Sequence, residues 1–391
     1  MKNFLLSITI LFSLIASAQE GTIEKKATDK KSESTQYLTS GKKLGFTAKD
    51  SLFQVNIGFR IQSRTGFEKT EGETGFFEGE VRRMRFKLDG FVYNPKFGYK
   101  IELGFSAKDM VTLDNKNGNV ILDAVLFYHP AKNWTIAFGQ TKLPGNNQRV
   151  ISSGSLEFTD RTINNSRFNI DRDFGLFVDY SRENPSKFAY SLKGALTKGE
   201  GRNWVKTEDD GIALTAKAEL FPLGSFTKHG SLFEAGAFSQ NNHALRKQGQ
   251  LGSDLFEART IKSLFFDTML KYNGWSLIGA YMSTMCNDPI TVNPLDISKT
   301  QIVFAGHGVD TQLSYVFPSN YQIAARYSKQ KADSEIHAST PDADEYALGL
   351  SKYILGHKLK VQTECSYENK TFFSGNTTGS WYVRFQVEIG I

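Results

Sequence analysis

Apolar and polar residues alternate one by one along most of this chain. Between Ser380 and the end, Trp381, Val383, Phe385, Val387, Ile389 and Ile391 share one parity, and Tyr382, Arg384, Gln386, Glu388 and Gly390 the other. Successive side chains of a strand point to opposite faces, so one face here is apolar and the other carries ions. Phe53, Val55, Ile57, Phe59 and Ile61 oppose Gln54, Asn56, Gly58, Arg60, Gln62 and Arg64 in the same way. Met84, Phe86, Leu88 and Val92 oppose Arg83, Arg85, Lys87 and Asp89, and Phe97, Tyr99, Ile101, Leu103 and Phe105 oppose Gly98, Lys100, Glu102, Gly104 and Ser106. The segments have the roughly 9–11 residues with which a tilted strand crosses a bilayer.

Twelve further strands are expected near 119–128, 134–141, 172–181, 187–196, 211–221, 231–239, 262–272, 275–283, 307–317, 321–329, 344–354 and 358–368. The pattern predicts an all-β chain, a 16-stranded antiparallel transmembrane β-barrel, with the even strand number of bacterial barrels. Connections alternate in length. Short ones fall at 94–96, 129–133, 182–186, 222–230, 273–274, 318–320 and 355–357. Long ones fall at 65–80, 108–118, 142–171, 197–210, 240–261, 284–306, 330–343 and 369–379. Short periplasmic turns and long extracellular loops are the habit of outer-membrane barrels. Asn273-Gly274 is a strong hairpin signal. Aromatics such as Tyr128, Trp134, Tyr180, Trp275 and Tyr315 flank the short turns, as an interfacial girdle does.

The N-terminus reads as a secretory signal. Lys2 is followed by an apolar run from Leu5 to Ile15 and by Ala16-Ser17-Ala18, so cleavage is expected before Gln19. Three segments follow: a signal peptide at 1–18, a flexible periplasmic segment at 19–50 rich in Lys, Ser and Thr, and a barrel at 51–391. The mean hydropathy of −0.35 does not argue against a membrane protein, because each lipid-facing residue alternates with a polar one. Gly 34, 13% aromatics and only 9 Pro suit a β-rich chain. The two cysteines, Cys286 in an expected loop and Cys365 on the lipid side, form neither a disulfide framework nor a metal spacing. A net charge of +6 is mild, and its basic residues alternate with apolar ones in strands, which excludes a nucleic-acid recognition element. No cofactor is expected. The six histidines fall mostly in turns, away from any candidate nucleophile, so enzymatic chemistry is not expected.

Candidate chemistry lies on the lumen face. Arg60, Arg64, Arg83, Arg85 and Lys87 lead it, and basic residues in a narrow pore favour anions. Lumen charges can equally pair with one another and only keep the barrel wet. The connection 142–171 is the expected constriction. It is long, and Ile151, Leu156, Phe158, Ile163 and Phe168 are apolar anchors that a loop folded into the lumen needs against the wall.

Two blocks give the chain a resemblance to the phosphate-selective porin O/P family of Gram-negative outer membranes. One runs from Arg82 to Ser106. The other begins Gly139-Gln140-Thr141-Lys142-Leu143-Pro144 and continues through Ser152-Ser153, Leu156 to Arg161, and Asp171 to Gly175. The resemblance implies a 16-stranded outer-membrane barrel, usually a homotrimer embedded in outer-membrane lipids, that admits small anions such as phosphate. It implies constriction arginines, for which Arg149 and Arg161 lie in the matching loop. The lysine cluster of phosphate-specific members has no counterpart in one later loop, where Arg246, Lys247, Arg259 and Lys262 are spread out. The expected function is passive diffusion of small hydrophilic solutes and ions with a mild anion preference. The alternative is a surface receptor or adhesin acting through the extracellular loops.

Overall fold

The computed structural model describes residues 44–113, 117–184, 187–203, 211–224, 230–246 and 254–391. The expected signal peptide and most of the 19–50 segment lie outside the described residues, as do Lys247 and parts of the turns and loops at 108–118, 182–186, 197–210, 222–230 and 240–261.

The strands are β1 (Leu44–Thr47), β2 (Phe53–Thr70), β3 (Phe76–Val92), β4 (Phe97–Gly104), β5 (Val111–Leu113), β6 (Asn117–Asn119) and β7 (Ile121–Tyr128). There follow β8 (Trp134–Lys142), β9 (Arg172–Arg182), β10 (Ala189–Thr197), β11 (Ile212–Phe221), β12 (Gly230–Arg246), β13 (Asp254–Tyr272) and β14 (Trp275–Cys286). The last are β15 (Ile290–Asn293), β16 (Asp296–Ile302), β17 (Gly306–Val316), β18 (Tyr321–Ala332), β19 (Asp342–Tyr353), β20 (Leu359–Thr371) and β21 (Thr377–Gly390). Short helices are α1 (Asn147–Val150), α2 (Ile163–Phe168) and α3 (Ser334–His337).

Each wall strand pairs antiparallel with its sequence neighbours, and β21 returns to β2 from Arg60↔Gly390 to Thr70↔Ser380. The wall is therefore a closed barrel of sixteen strands. Closure leaves no edge, the condition under which a sheet can sit in lipid. Burial is inverted relative to a soluble protein. Leu126, Leu214 and Leu348 are exposed outside, while Gln62, Lys360, Glu364 and Glu388 are buried inside. Lipid outside and water inside impose this inversion. Outer aromatics pair across strands near the short turns, as Trp134 does with Tyr180 (5.0 Å between ring centroids) and Trp275 with Tyr315 (4.9 Å).

Several expected loops are shorter than the alternation suggested. β2 and β3 run on to Thr70 and from Phe76, so the expected loop 65–80 shrinks to 71–75. The 240–261 connection contracts likewise between β12 and β13. These strands continue where both faces meet water, so the ladder persists after the apolar parity has faded. The 284–306 loop carries the hairpin β15–β16, and Cys286 ends β14 rather than lying in the loop. Cys365 is exposed on the outer face, and both cysteines are free.

The segment 19–50 also contains structure. β1 pairs with β2 from Leu44↔Ile57 to Thr47↔Gln54, along the edge that β21 leaves once it ends at Gly390↔Arg60. Ile391 and Phe59 exchange backbone hydrogen bonds at the junction. β1 thus continues the line of β21 and covers backbone groups that the stagger of the barrel would leave unpaired.

The lumen as candidate functional site

The connection 142–171 folds into the lumen. Its apolar anchors dock on the connection between β16 and β17 and on inward-facing wall residues: Phe168 is buried against Phe304 of that connection (5.1 Å, edge to face), Phe158 sits with Ala324 and Ala347 of the wall, and Ile151 packs on Met269 and Ile278. Leu156 is buried and Ile163 half-buried. Close approach needs small residues on the wall. A Cβ on Gly308 of β17 would lie 2.1 Å from the Asn164 side chain, which donates to the Val309 and Lys329 carbonyls and the Asp310 carboxylate.

Polar anchors spread the loop across the lumen. Lys217 on β11 donates to the Gly145 carbonyl (3.0 Å) and to Asn147 Oδ1 (2.7 Å), and Asp267 on β13 accepts from the Asn147 amide (3.0 Å). On the far side, Glu364 on β20 accepts from the Thr159 amide (2.9 Å), and Lys360 donates to the Leu156 carbonyl (2.8 Å). Arg326 on β18 donates to the Asp160 carbonyl (3.1 Å), pairs with Glu345 and Glu364, and lies over the Phe158 ring (4.4 Å).

The strongest anchor is Asp160. Arg82 reaches it through Nε (3.0 Å) and Nη2 (2.9 and 3.1 Å), Arg64 through Nη1 (3.1 Å) and Arg83 through Nη2 (3.4 Å). Arg82 and Arg83 are sequence neighbours, yet both are buried on the inner face. The cause is a β-bulge: Gln62 pairs with Arg83 and Ser63 with Val81, so Arg82 is the extra residue. Strict alternation placed only Arg83 in the lumen and missed Arg82.

Most other expected pore cations have carboxylate partners. Arg60 meets Glu388 (3.1 Å) and donates to Ser152 Oγ (2.9 Å), and Arg64 also pairs with Glu80. Arg85 forks onto Asp109 (2.8 and 2.6 Å) and approaches Glu102 (3.3 Å), while Lys87 meets Asp89 (2.9 Å). Arg149 binds Asp171 through Nε (2.6 Å). Arg161 differs: its Nε donates to the Gln148 carbonyl (2.5 Å) and its Nη2 to the Ile151 carbonyl (2.9 Å). Lys142 likewise donates to the Arg149 and Val150 carbonyls (3.0 and 3.2 Å). Arg202, on the β10–β11 connection, gives Nη2 to the Asp109 carbonyl (2.6 Å), and its buried Nε and Nη1 have no partner. Among the described residues, these three cations have no carboxylate partner. Lys142, the last residue of β8, and Arg202 were not singled out from the sequence.

The loop leaves two cavities on the side of the short turns. One, of about 500 Å³, is lined by Arg60, Arg85, Lys87, Lys100, Lys142 and Lys358 with Asp89 and Glu102. The other, of about 690 Å³, is more apolar, with Ile151, Leu156, Phe221, Met269, Ile278 and Val316 on its walls. Val150 and His357 line both.

Residues 53–216 match the family described as phosphate-selective porin O and P. No curated protein matches the chain. Solved structures that share the fold include the outer-membrane channel DcaP of Acinetobacter baumannii, at 17% identity and TM-score 0.58 over 89% of this chain and 99% of that one. An anion-selective porin from Comamonas acidovorans aligns at 9% identity and TM-score 0.56, over 87% and 100%. A loop-deletion variant of OmpT, an outer-membrane protein of Vibrio cholerae, aligns at 12% identity and TM-score 0.52, over 85% and 99%. Together with the closed sixteen-strand wall and the loop folded inside it, the matched segment makes this chain an outer-membrane porin whose residues 53–216 are similar to the phosphate-selective porin O and P family.

Proposed function

We propose that the protein conducts small hydrophilic solutes by passive diffusion and prefers anions, phosphate among them, without cofactor or catalytic step. One observation carries the anion preference: Lys142, Arg161 and Arg202 are held by backbone carbonyls rather than carboxylates, so their charge is not cancelled locally. In a narrow lumen with low-dielectric walls such charges focus their field on the passing ion. The paired cations Arg60, Arg64, Arg83, Arg85, Lys87 and Arg149 contribute less, because each faces an acid at short range. One structural relative is an anion-selective porin, which agrees with this reading.

The test is the reversal potential of single channels under a KCl gradient. Lys142→Gln with Arg161→Gln should shift it toward cation selectivity, and phosphate should reduce the chloride current of the parent protein more than that of the double variant. An unchanged potential would remove the assignment. A homotrimer in the outer-membrane bilayer belongs to the same proposal, and a subunit crosslinking ladder that stops at one chain would count against it.

A further inference from the structure

The cavity of about 690 Å³ has a lining that anion diffusion does not use. We propose that it is a binding site for small amphiphilic cations, solutes that carry an ammonium group on an apolar or aromatic body. The site deepens the channel reading above, since the lumen is its route of access.

An aqueous lumen needs polar inner walls, and β2, β20 and β21 have them: Gln62, Gln362, Gln386 and Glu388 all point inward and are buried. The inner wall at β12–β14 is different. Met269 and Ile278 are register partners packed on Ala235, and with Phe221 and the loop residue Ile151 they form an apolar surface on the cavity. The volume falls in the range of about 300–1,000 Å³ typical of small-molecule sites, which are mostly apolar with few polar groups.

The charge of the ligand follows from the carboxylates on the same cavity. Asp160 is taken by Arg64, Arg82 and Arg83, and Glu219 by Lys193 (2.6 Å) and Lys217 (3.0 Å). Glu157 has no cationic partner among the described residues; its Oε2 accepts only from Gln312 Nε2 (2.6 Å). The Tyr353 ring lines the cavity with Glu157, and a carboxylate beside an aromatic ring suits an ammonium group. The facing cation is Lys271, exposed at the short-turn end of β13, and the imidazole of His357 lies on the same lining. The neighbouring cavity has the opposite bias, so the loop divides the lumen into a basic chamber and an apolar one that ends at a carboxylate.

The experiment titrates benzyltrimethylammonium against the folded full-length barrel in detergent by calorimetry, and adds it to single channels in a planar bilayer. Tetramethylammonium lacks the apolar body and phenylacetate reverses the charge. Benzyltrimethylammonium should bind and block more strongly than either. Glu157→Gln, which keeps the size and the contact with Gln312, should weaken it about five-fold, the worth of one partly exposed ion pair. Met269→Gln with Ile278→Thr should erase the preference over tetramethylammonium. Binding of phenylacetate as tight as that of benzyltrimethylammonium, or no binding of the latter to a conducting channel, overturns the site without any variant. A barrel that binds benzyltrimethylammonium through Glu157 but passes no current keeps the site and defeats the channel reading.

Discussion

Arg82 grips both carboxylate oxygens of Asp160, with Nε 3.0 Å from Oδ2 and Nη2 3.1 Å from Oδ1. The residues are far apart in sequence and meet only because a bulge on β3 turns Arg82 inward and the lumen loop passes beneath it. Arg64 and Arg83 converge on the same carboxylate, so one acid neutralises a concentrated patch of positive charge and fixes the loop to β2 and β3.

Asp160→Asn should therefore do two things. It removes the carboxylate that Arg64, Arg82 and Arg83 share, leaving Arg64 with Glu80 and Arg83 with no close acid among the described residues, and removing one member of a buried charge set costs about 3–5 kcal/mol. The urea midpoint of the refolded barrel, followed by tryptophan fluorescence, should fall. The surviving channels should become more anion-selective, because the freed guanidinium groups face the lumen. A variant with parental stability and selectivity would show that the cluster does not hold the loop.

Gly308→Val tests the other side of the loop. The added Cβ meets the Asn164 side chain at 2.1 Å, and Asn164 cannot yield without breaking its three hydrogen bonds to the wall. Displacing α2 from the wall should raise single-channel conductance while the barrel still shows its heat-modifiable mobility. Unaltered conductance would mean that α2 does not narrow the path.

The seam at β1 predicts a stability effect from a residue outside the sixteen wall strands. A Cβ on Gly45 would approach the Val55 carbonyl oxygen to 2.3 Å and the Asn56 Cα to 2.9 Å. Gly45→Val should displace β1 from β2 at a cost of about 1–3 kcal/mol, the range for overpacking a close contact. Amide exchange at β2 residues 54–57 should rise while the upper part of the strand stays protected. Equal exchange in both proteins would remove β1 from the seam.

His357, in the turn between β19 and β20, gives a pH dependence. The residue is exposed at the turn, yet crowding of its ring by the surrounding protein, with a smaller contribution from the Lys360 charge, lowers its pKa from the ordinary 6.5 to about 4. The unfolded chain binds this proton at higher pH than the folded barrel does. The stability held by the neutral ring is therefore complete above about pH 6.5 and is lost as the pH falls toward 4. Urea midpoints should fall across that window and fall less in His357→Gln. Parallel pH profiles for the two proteins would contradict the assignment.

The wall was legible because lipid outside and water inside force a period of two on each strand. Strands such as β19 and β20 therefore announce themselves, Leu348 and Cys365 outward, Glu345 and Glu364 inward. Arg82 was not legible: one unpaired residue in a bulge shifts the parity, although the doublet Arg82-Arg83 against an apolar run was a visible irregularity. The length and apolar anchors of the 142–171 connection pointed to a loop inside the barrel. Its ion pairs did not show, since Arg149 meets Asp171, and Arg161 meets only carbonyls, through the path of the folded loop. β1 is too short for alternation to be read, and its place follows from the stagger at which β21 ends.

The central claim is that solutes cross this barrel past the folded loop. Single-channel recording of the purified full-length protein in a planar bilayer tests it most directly, with a variant in which a short glycine-serine linker replaces residues 147–168. The account predicts discrete conductance steps for the parent and larger steps for the variant. A folded barrel that shows no steps in either form would contradict it and leave a surface receptor or adhesin acting through the extracellular loops.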